Sequence, residues 1–480
     1  MTKKILAVTL LLAMLVSVVA CAKTEEKKVT SQSVENVTTD DGYDFGELDC
    51  QGADFTFLQC DEDRWNMITA VAPEDLIGEV VSDAIYARNA RISELYNVNI
   101  KCKNEDIYET GNYIRTLVSS GDSSIDAAFV IGENVPSLIV EECLSDISST
   151  PNIQIYEPWW NQTIRESSQF MGSSELYFAQ SDISVTAFEL TWCMAVNLDI
   201  IDEHQMENPY DLVKSGKWTI EKMLQMAKQG MESNSDGSYD YRENTTCVLG
   251  MVTYVNFAQA ALNGSGCFLT QKDAIGLPTF TGEGERFLDV FGKWVTASNL
   301  EGMEFAANDE AFHYEEIFSD GRAVFVGTEV KGVRFYKTQE LNYGILPVPK
   351  YSEEQESYYS NVNYLSPVLV IPKTNINAEA TGRILDAMAY ISHKDILPKY
   401  YDANLSYQSL KDPESIEMLN IIRDTRCHET SLLFGWTTDY YLELRRVFGG
   451  LTSSSATSSI IATNRDKVKS NINKYIAEIK

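Results

Sequence analysis

Residues 125–131 read IDAAFVI, apolar but for Asp126, and a strand of that composition has to be covered on both faces. Such a strand belongs inside a parallel sheet, whose neighbouring strands need crossovers long enough to hold a helix. The surrounding sequence supplies them. Residues 53–58 alternate around Phe55 and Phe57 as a strand, and residues 80–96 carry Val81, Ala84, Ile85, Ile92, Leu95 and Tyr96 at helical spacing. Residues 98–102 read as a strand and residues 113–119 as a helix stopped by Gly121. A second alternating set begins at Thr191, with helices expected over 219–230 and 283–298. The chain closes in helices over 378–392, 413–424, 439–448 and 464–479, the last repeating Val468, Ile472, Tyr475, Ile476 and Ile479. The fold class is therefore α/β, built of right-handed βαβ units around mainly parallel sheets. The body from about residue 46 is too long for a single core and is expected to form two lobes.

Ahead of that body, Lys3 and Lys4 precede an apolar run over residues 5–19. The run has the length of a signal h-region and is too short to span a bilayer stably. It ends in Val18, Val19, Ala20 and Cys21, which resembles the lipobox of bacterial lipoproteins. In that motif the cysteine sulfur receives a diacylglyceryl group, and two acyl chains make the attachment stable. An ordinary secretory signal with a chance cysteine is the alternative. Residues 22–44 are polar and charged without apolar periodicity, and read as a flexible tether. No later segment offers the apolar length of a membrane span. The expected location is the outer face of the cytoplasmic membrane, with Cys21 as the lipidated residue.

Lys and Arg number 39 against 70 Asp and Glu, a formal charge of −31. That field repels phosphates and argues against nucleic acid as a partner. The cysteines after Cys21 show no CxxC spacing and no neighbouring histidine pairs, so zinc is not expected. An exported body permits disulfides, yet Cys193 and Cys267 sit in apolar segments, which favours buried thiols.

Seven short strings then occur in a telling order: LYFAQSD from Leu176, CMAVNLDII from Cys193, GKWTIEKM from Gly216, ALNGSG from Ala261, FSDGRAVFV from Phe318, NYGILPVPK from Asn342 and LVIPKT from Leu369. As an ordered set they resemble the family 1 extracellular solute-binding proteins of ABC importers, the maltodextrin-binding type, over nearly the whole body. The resemblance implies a two-lobed, type II periplasmic-binding-protein-like fold with hinge crossovers and a ligand held between the lobes. Hinge closure is the switching mode known for that class. The implied division is signal peptide 1–20, tether 21–45, first lobe 46–183 plus 366–411, and second lobe 184–365 plus 412–480. The first crossing is expected near residues 182–187 and the return near 364–367. The implied partners are a carbohydrate ligand and a separately encoded permease, with the chain itself monomeric and no cofactor required.

A sugar cleft needs flat apolar faces for the rings and fixed polar groups for the hydroxyls. Arg64 and Trp65 follow the first strand, where an α/β sheet meets its ligands. The resemblance places Asp182 and Glu189 at the first crossing, where a carboxylate contacts sugar hydroxyls, with Trp192 close behind as platform or core. Tyr254, in VTYVNF, falls where the family stacks an aromatic ring on sugar. Glu329 stands where maltodextrin binders carry Trp, which points to a polar contact instead. Trp436 and Tyr440, ahead of Arg445, occupy the position of a further stacking aromatic. Trp159, Trp160 and Trp218 are read as structural.

One pattern is independent of the resemblance. Glu232, Asn234, Asp236, Gly237, Ser238, Asp240 and Glu243 match positions 1, 3, 5, 6, 7, 9 and 12 of a calcium loop, with Glu in place of Asp at position 1. The alternative is a polar helix-to-strand loop. A glycosidase would need two carboxylates about 5–10 Å apart, and counting acids alone leaves that open. No HExxH, GxSxG or P-loop string occurs, the four histidines are scattered, and an adhesin would show internal repeats, which are absent. A non-catalytic binder of sugar fits best, with a peptide or other solute as the alternative ligand. Replacement of Cys21 by serine is expected to move the protein from the membrane fraction to the medium with its ligand affinity unchanged, which fractionation and calorimetry of the released form would check.

Overall fold

The structure, a computed structural model, describes residues 42–60, 71–73, 76, 79–171, 173–242, 245–309, 312–336, 341–402 and 413–478. Cys21, Arg64, Trp65 and Glu243 lie outside the described residues. The chain divides into a short N-terminal unit, residues 1–45, and a body, residues 46–480. Of the first, only residues 42–45 are described, and there the Tyr43 and Phe45 rings meet edge-on with centroids 4.7 Å apart.

The strands of the body are β1 (Ala53–Cys60), β2 (Val98–Glu105), β3 (Ala127–Ile131), β4 (Trp192–Asn197), β5 (Leu249–Val252), β6 (Thr270–Lys272), β7 (Pro278–Phe280), β8 (Met303–Glu304), β9 (Asn308–Asp309), β10 (Phe312–His313), β11 (Ala323–Glu329), β12 (Tyr343–Leu346), β13 (Ser360–Asn361), β14 (Pro367–Val370) and β15 (Arg426–Cys427). Two principal sheets result, in the orders β2-β1-β3-β14 and β8-β5-β11-β4-β12. In the first, β1 runs parallel to β2 and β3 while β14 opposes β3. In the second, β5 runs parallel to β8 and β11, and β4 opposes both β11 and β12. Each sheet is thus parallel except for one reversed strand. β3 is buried along its whole length, as the opening apolar run requires, with Asp126 just outside it accepting the Thr56 N–H at 2.8 Å.

Helices Val80–Tyr96, Thr110–Ser120 and Ala378–Ile391 accompany the first sheet. Gly121 closes the second of these at φ +68°, a left-handed value that glycine takes without strain. Ile220–Gly230, Phe257–Gly264 and Glu285–Ser298 accompany the second sheet. Thr219 caps the first of those by accepting the Lys222 N–H, and Trp218 beside it is fully buried with its indole N–H on the Pro347 carbonyl at 2.9 Å. Trp159 and Trp160 are structural too: both indoles donate to the buried Asp386 carboxylate, at 3.2 and 2.8 Å. The last helix begins at Thr457, seven residues before the expected start at 464. Its Thr-Ser-Ser opening has low helix propensity, but burial of Ile460 and Ile461 outweighs it. All eight described cysteines are free thiols. No helix among the described residues is long and apolar enough to cross a membrane.

The chain leaves the first sheet after Ala179, whose backbone pairs with Leu369 of β14, and joins the second at β4. It leaves the second after β12, forms a two-strand ribbon of β13 with β15, and re-enters the first at β14. His428, just after β15, ties that ribbon to the first sheet's side: Nε2 lies 2.9 Å from Gln180 Oε1, and Nδ1 3.4 Å from Thr163 Oγ1. Burial drives its pKa down to about 3, with the nearby Arg426 charge adding to the effect. A histidine depressed in the fold stabilises it fully above the unfolded value near 6.5, and that contribution is lost as pH falls toward 3. Chemical denaturation at pH 7 and pH 4.5 is therefore expected to show a drop in stability, and His428→Gln should make the drop smaller.

Candidate functional site

Parallel strands of an α/β sheet present ligand groups at their carboxyl ends. The segments that follow those ends in both sheets carry a set of polar and aromatic residues. After β5 come Tyr254 and Asn256, and after β11 comes Lys331, adjoining Glu329. After β2 come Asp106 and Tyr108, and after β3 comes Glu133. Tyr364 lies on the return segment, and helix Thr438–Phe448 adds Tyr441 and Arg445.

These groups are bonded to one another. Arg445 Nη1 donates to Asn256 Oδ1 at 2.6 Å, and the Tyr441 hydroxyl donates to the Asn256 carbonyl at 3.2 Å. The Tyr364 and Tyr441 rings meet edge-on at 5.6 Å. Tyr254, half-buried, stacks on Tyr314 at 5.1 Å and rests on Trp192 at 5.6 Å. Glu329, 3% exposed, accepts from Asn363 Nδ2 at 2.7 Å and lies 3.3 Å from Lys331 Nζ. Glu315 accepts the Thr328 hydroxyl at 3.0 Å.

Electrostatics keeps these groups as donors and fixed charges. Burial lifts the Tyr254 hydroxyl well above its ordinary value, and the Glu329 charge adds to it. Burial likewise pushes Tyr364 up to about 12, against the pull of Arg445; Glu133 and Tyr108 are close enough to raise it further. Both phenols are neutral hydroxyls at pH 7. Burial also raises the Glu315 carboxyl, while Lys331 and the Thr328 hydroxyl oppose the rise. Tyr108 is 44% exposed and offers an open aromatic face at the first sheet's edge of the cluster.

The residues named from sequence divide into three groups. Tyr254 and Glu329 fall in the cluster. Trp192, Trp436 and Tyr440 do not present their rings to solvent. Trp192 is fully buried because β4 is covered on both faces, and it supports Tyr254 from beneath rather than forming a platform. Trp436 packs among Phe434, Phe170 and Tyr475, and Tyr440 between Phe280 and Phe287 with its hydroxyl on the Gly282 carbonyl. Tyr441 and Arg445, one helical turn apart, are the residues of this helix that meet Tyr364 and Asn256. Asp182 and Glu189 lie on the crossing: Asp182 pairs with His393 Nδ1 at 2.6 Å, and the buried Glu189 accepts the Tyr400 hydroxyl at 3.1 Å.

The calcium pattern is not assembled among the described residues. Asn234 Oδ1 accepts the Thr246 and Cys247 N–H groups, Asp236 caps Ser238, and Asp240 caps Arg242. Glu232 lies 3.8 Å from His204. Short local turns use the oxygens that an ion would need, and no three metal-ligating side chains converge among the described residues.

Asn256, Tyr108, Glu133 and Tyr364 were not singled out from sequence. The signal that would have found them is position: each lies within a few residues of the carboxyl end of a strand or on a crossing. Gly132, at the end of β3, shows how tightly the return segment passes, since a Cβ there would stand 2.0 Å from the Tyr364 carbonyl oxygen. Gly132→Ala is expected to lower stability by about 1–3 kcal/mol or more, read from the shift in the denaturation midpoint.

No protein-family profile matches the sequence, and no curated protein sequence matches it. Solved structures match nearly the whole chain. The sugar-binding protein MalE of Xanthomonas citri aligns with a TM-score of 0.61 at 12% identity, over 89% of this chain and 100% of that one. The cyclic α-maltosyl-1,6-maltose binding protein of Arthrobacter globiformis aligns at 0.60 and 11%, over 88% and 100%. The GacH receptor of Streptomyces glaucescens, solved unliganded and with acarbose, aligns at 0.56 and 13%, over 87% and 99%. The chain has the two-lobed periplasmic-binding-protein fold of these proteins.

Proposed function

We propose that this chain is the capture component of an ABC importer, a non-catalytic receptor for a neutral carbohydrate, most simply an oligosaccharide. The observation that carries the reading is the cluster around Tyr254, Asn256, Arg445 and Glu329. It combines aromatic surface with neutral phenols, a guanidinium and a carboxylate already fixed by hydrogen bonds, the chemistry that polyhydroxylated rings require. The shared fold supports it, because MalE, the cyclic maltosyl-maltose binder and GacH are sugar-binding or sugar-analogue-binding proteins by their own descriptions. Glu329 is held by Asn363 and Lys331, and Glu315 by Thr328, which favours anchoring over acid–base work. On this reading Cys21 holds the body at the outer face of the membrane, and the ligand-stabilised closed form is the one offered to the permease.

Calorimetry against maltose, longer maltodextrins and cyclic oligosaccharides, with peptides as controls, tests the proposal. At least one sugar is expected to bind. Arg445→Ala should weaken it about 10- to 100-fold, the worth of a charge-assisted hydrogen bond, with little change in the thermal midpoint. Binding of a peptide with silence for every sugar, or turnover of a glycan at catalytic rates, would sink it.

A further inference from the structure

Two cavities lie against the segments that join the sheets, and their walls share Asp424 and Arg426. Neither is lined by Tyr254, Asn256, Tyr364 or Arg445. The smaller, about 320 Å³, is walled by Asn161, Gln180, Asp182, Ser184, His393 and Arg423, among others. Arg426 stands in β15 with its Nε donating to the Arg423 carbonyl at 3.1 Å and its guanidinium carbon 5.6 Å from the Phe188 ring centroid. Its two terminal nitrogens have no hydrogen-bond or ion-pair partner among the described residues. The acids that share the cavity are engaged elsewhere: Asp182 with His393 at 2.6 Å, and Asp424 with Arg423 Nε at 2.8 Å. Arg426 is half-buried, and a planar oxyanion matches the free fork of a guanidinium whose neighbouring acids are already paired.

We propose that this cavity binds a small oxyanion, of the carboxylate or phosphate class, through the terminal nitrogens of Arg426. Gln180, Asn161 and Ser184 surround the position with neutral hydrogen-bonding groups. Burial lowers the Arg426 pKa and the Asp182 charge opposes that shift, and an anion seated beside the guanidinium would act in the same direction as Asp182. An anion seated there touches both the first crossing and the β13–β15 ribbon. The site is independent of the sugar reading and stands or falls without it.

The test titrates the intact chain with sodium phosphate and, separately, sodium acetate, with chloride holding the ionic strength constant. A saturable rise in thermal midpoint with a one-to-one heat is expected for at least one of them; which one responds distinguishes phosphate from carboxylate recognition. Arg426→Gln should abolish it. Ser184→Phe, which fills the cavity and leaves the guanidinium in place, should abolish it as well and carries the test if the first variant does not fold. Absence of saturation with both anions, or a response that persists in either folded variant, would overturn the proposal.

Discussion

Each sheet accepts a single strand running against the others, and in each case that strand is the one delivered from the opposite sheet. β4 arrives by the first crossing and β14 by the return. Everything else follows from this reversal. The remaining strands of each sheet share one direction, so their carboxyl ends gather at one edge, and the crossings pass close to those edges. Tyr254 and Lys331 of the second sheet and Glu133 of the first occupy such positions because strand direction leaves them no other.

The region where the crossings meet is held by buried polar bonds rather than by apolar packing alone. Glu429, 3% exposed, accepts the Leu269 N–H at 2.8 Å and the Ser431 hydroxyl at 2.6 Å, with Asn263 at 3.4 Å; Asn263 in turn accepts from Asn361 of β13 at 2.7 Å. Burial raises the Glu429 carboxyl, and its donors pull it back. A buried network of this kind favours one arrangement of the ribbon, since displacing Glu429 or Asn263 would leave further buried groups unsatisfied beside Asn361 Oδ1, which already has no partner among the described residues.

The fold was legible because periodicity reports burial directly. The apolar run ending in Ile131, the helical stripe from Val81 to Tyr96 and the Gly121 stop each state which face is covered, although Leu95 of the stripe stays exposed. The candidate cluster was anticipated only where identity and position coincided, as at Tyr254 and Glu329. On helix Thr438–Phe448 a step of one residue turns the side chain by about 100°, so Tyr440 enters the core beside Phe280 while Tyr441 meets Tyr364. Trp436 looked available because nothing in its own neighbourhood reveals that Tyr475, from the last helix, closes over it. Trp192, which the sequence left open between platform and core, is core, because an aromatic on a strand covered from both sides has no free face. Short-range pattern carries burial, and long-range packing decides direction.

The cysteines have a consequence for how the chain must be made. Cys60 and Cys267 are buried and their thiols pushed up to about 12, and burial also lifts the Cys193 thiol well above its ordinary value, so in the finished molecule they hold their protons and are shielded from reagents. The same sulfurs on an extended chain would titrate normally and react with any oxidant they met. Their safety is thus a matter of timing: the polypeptide is chemically protected only after it has collapsed, and the interval between synthesis and closure is the period in which it can be lost.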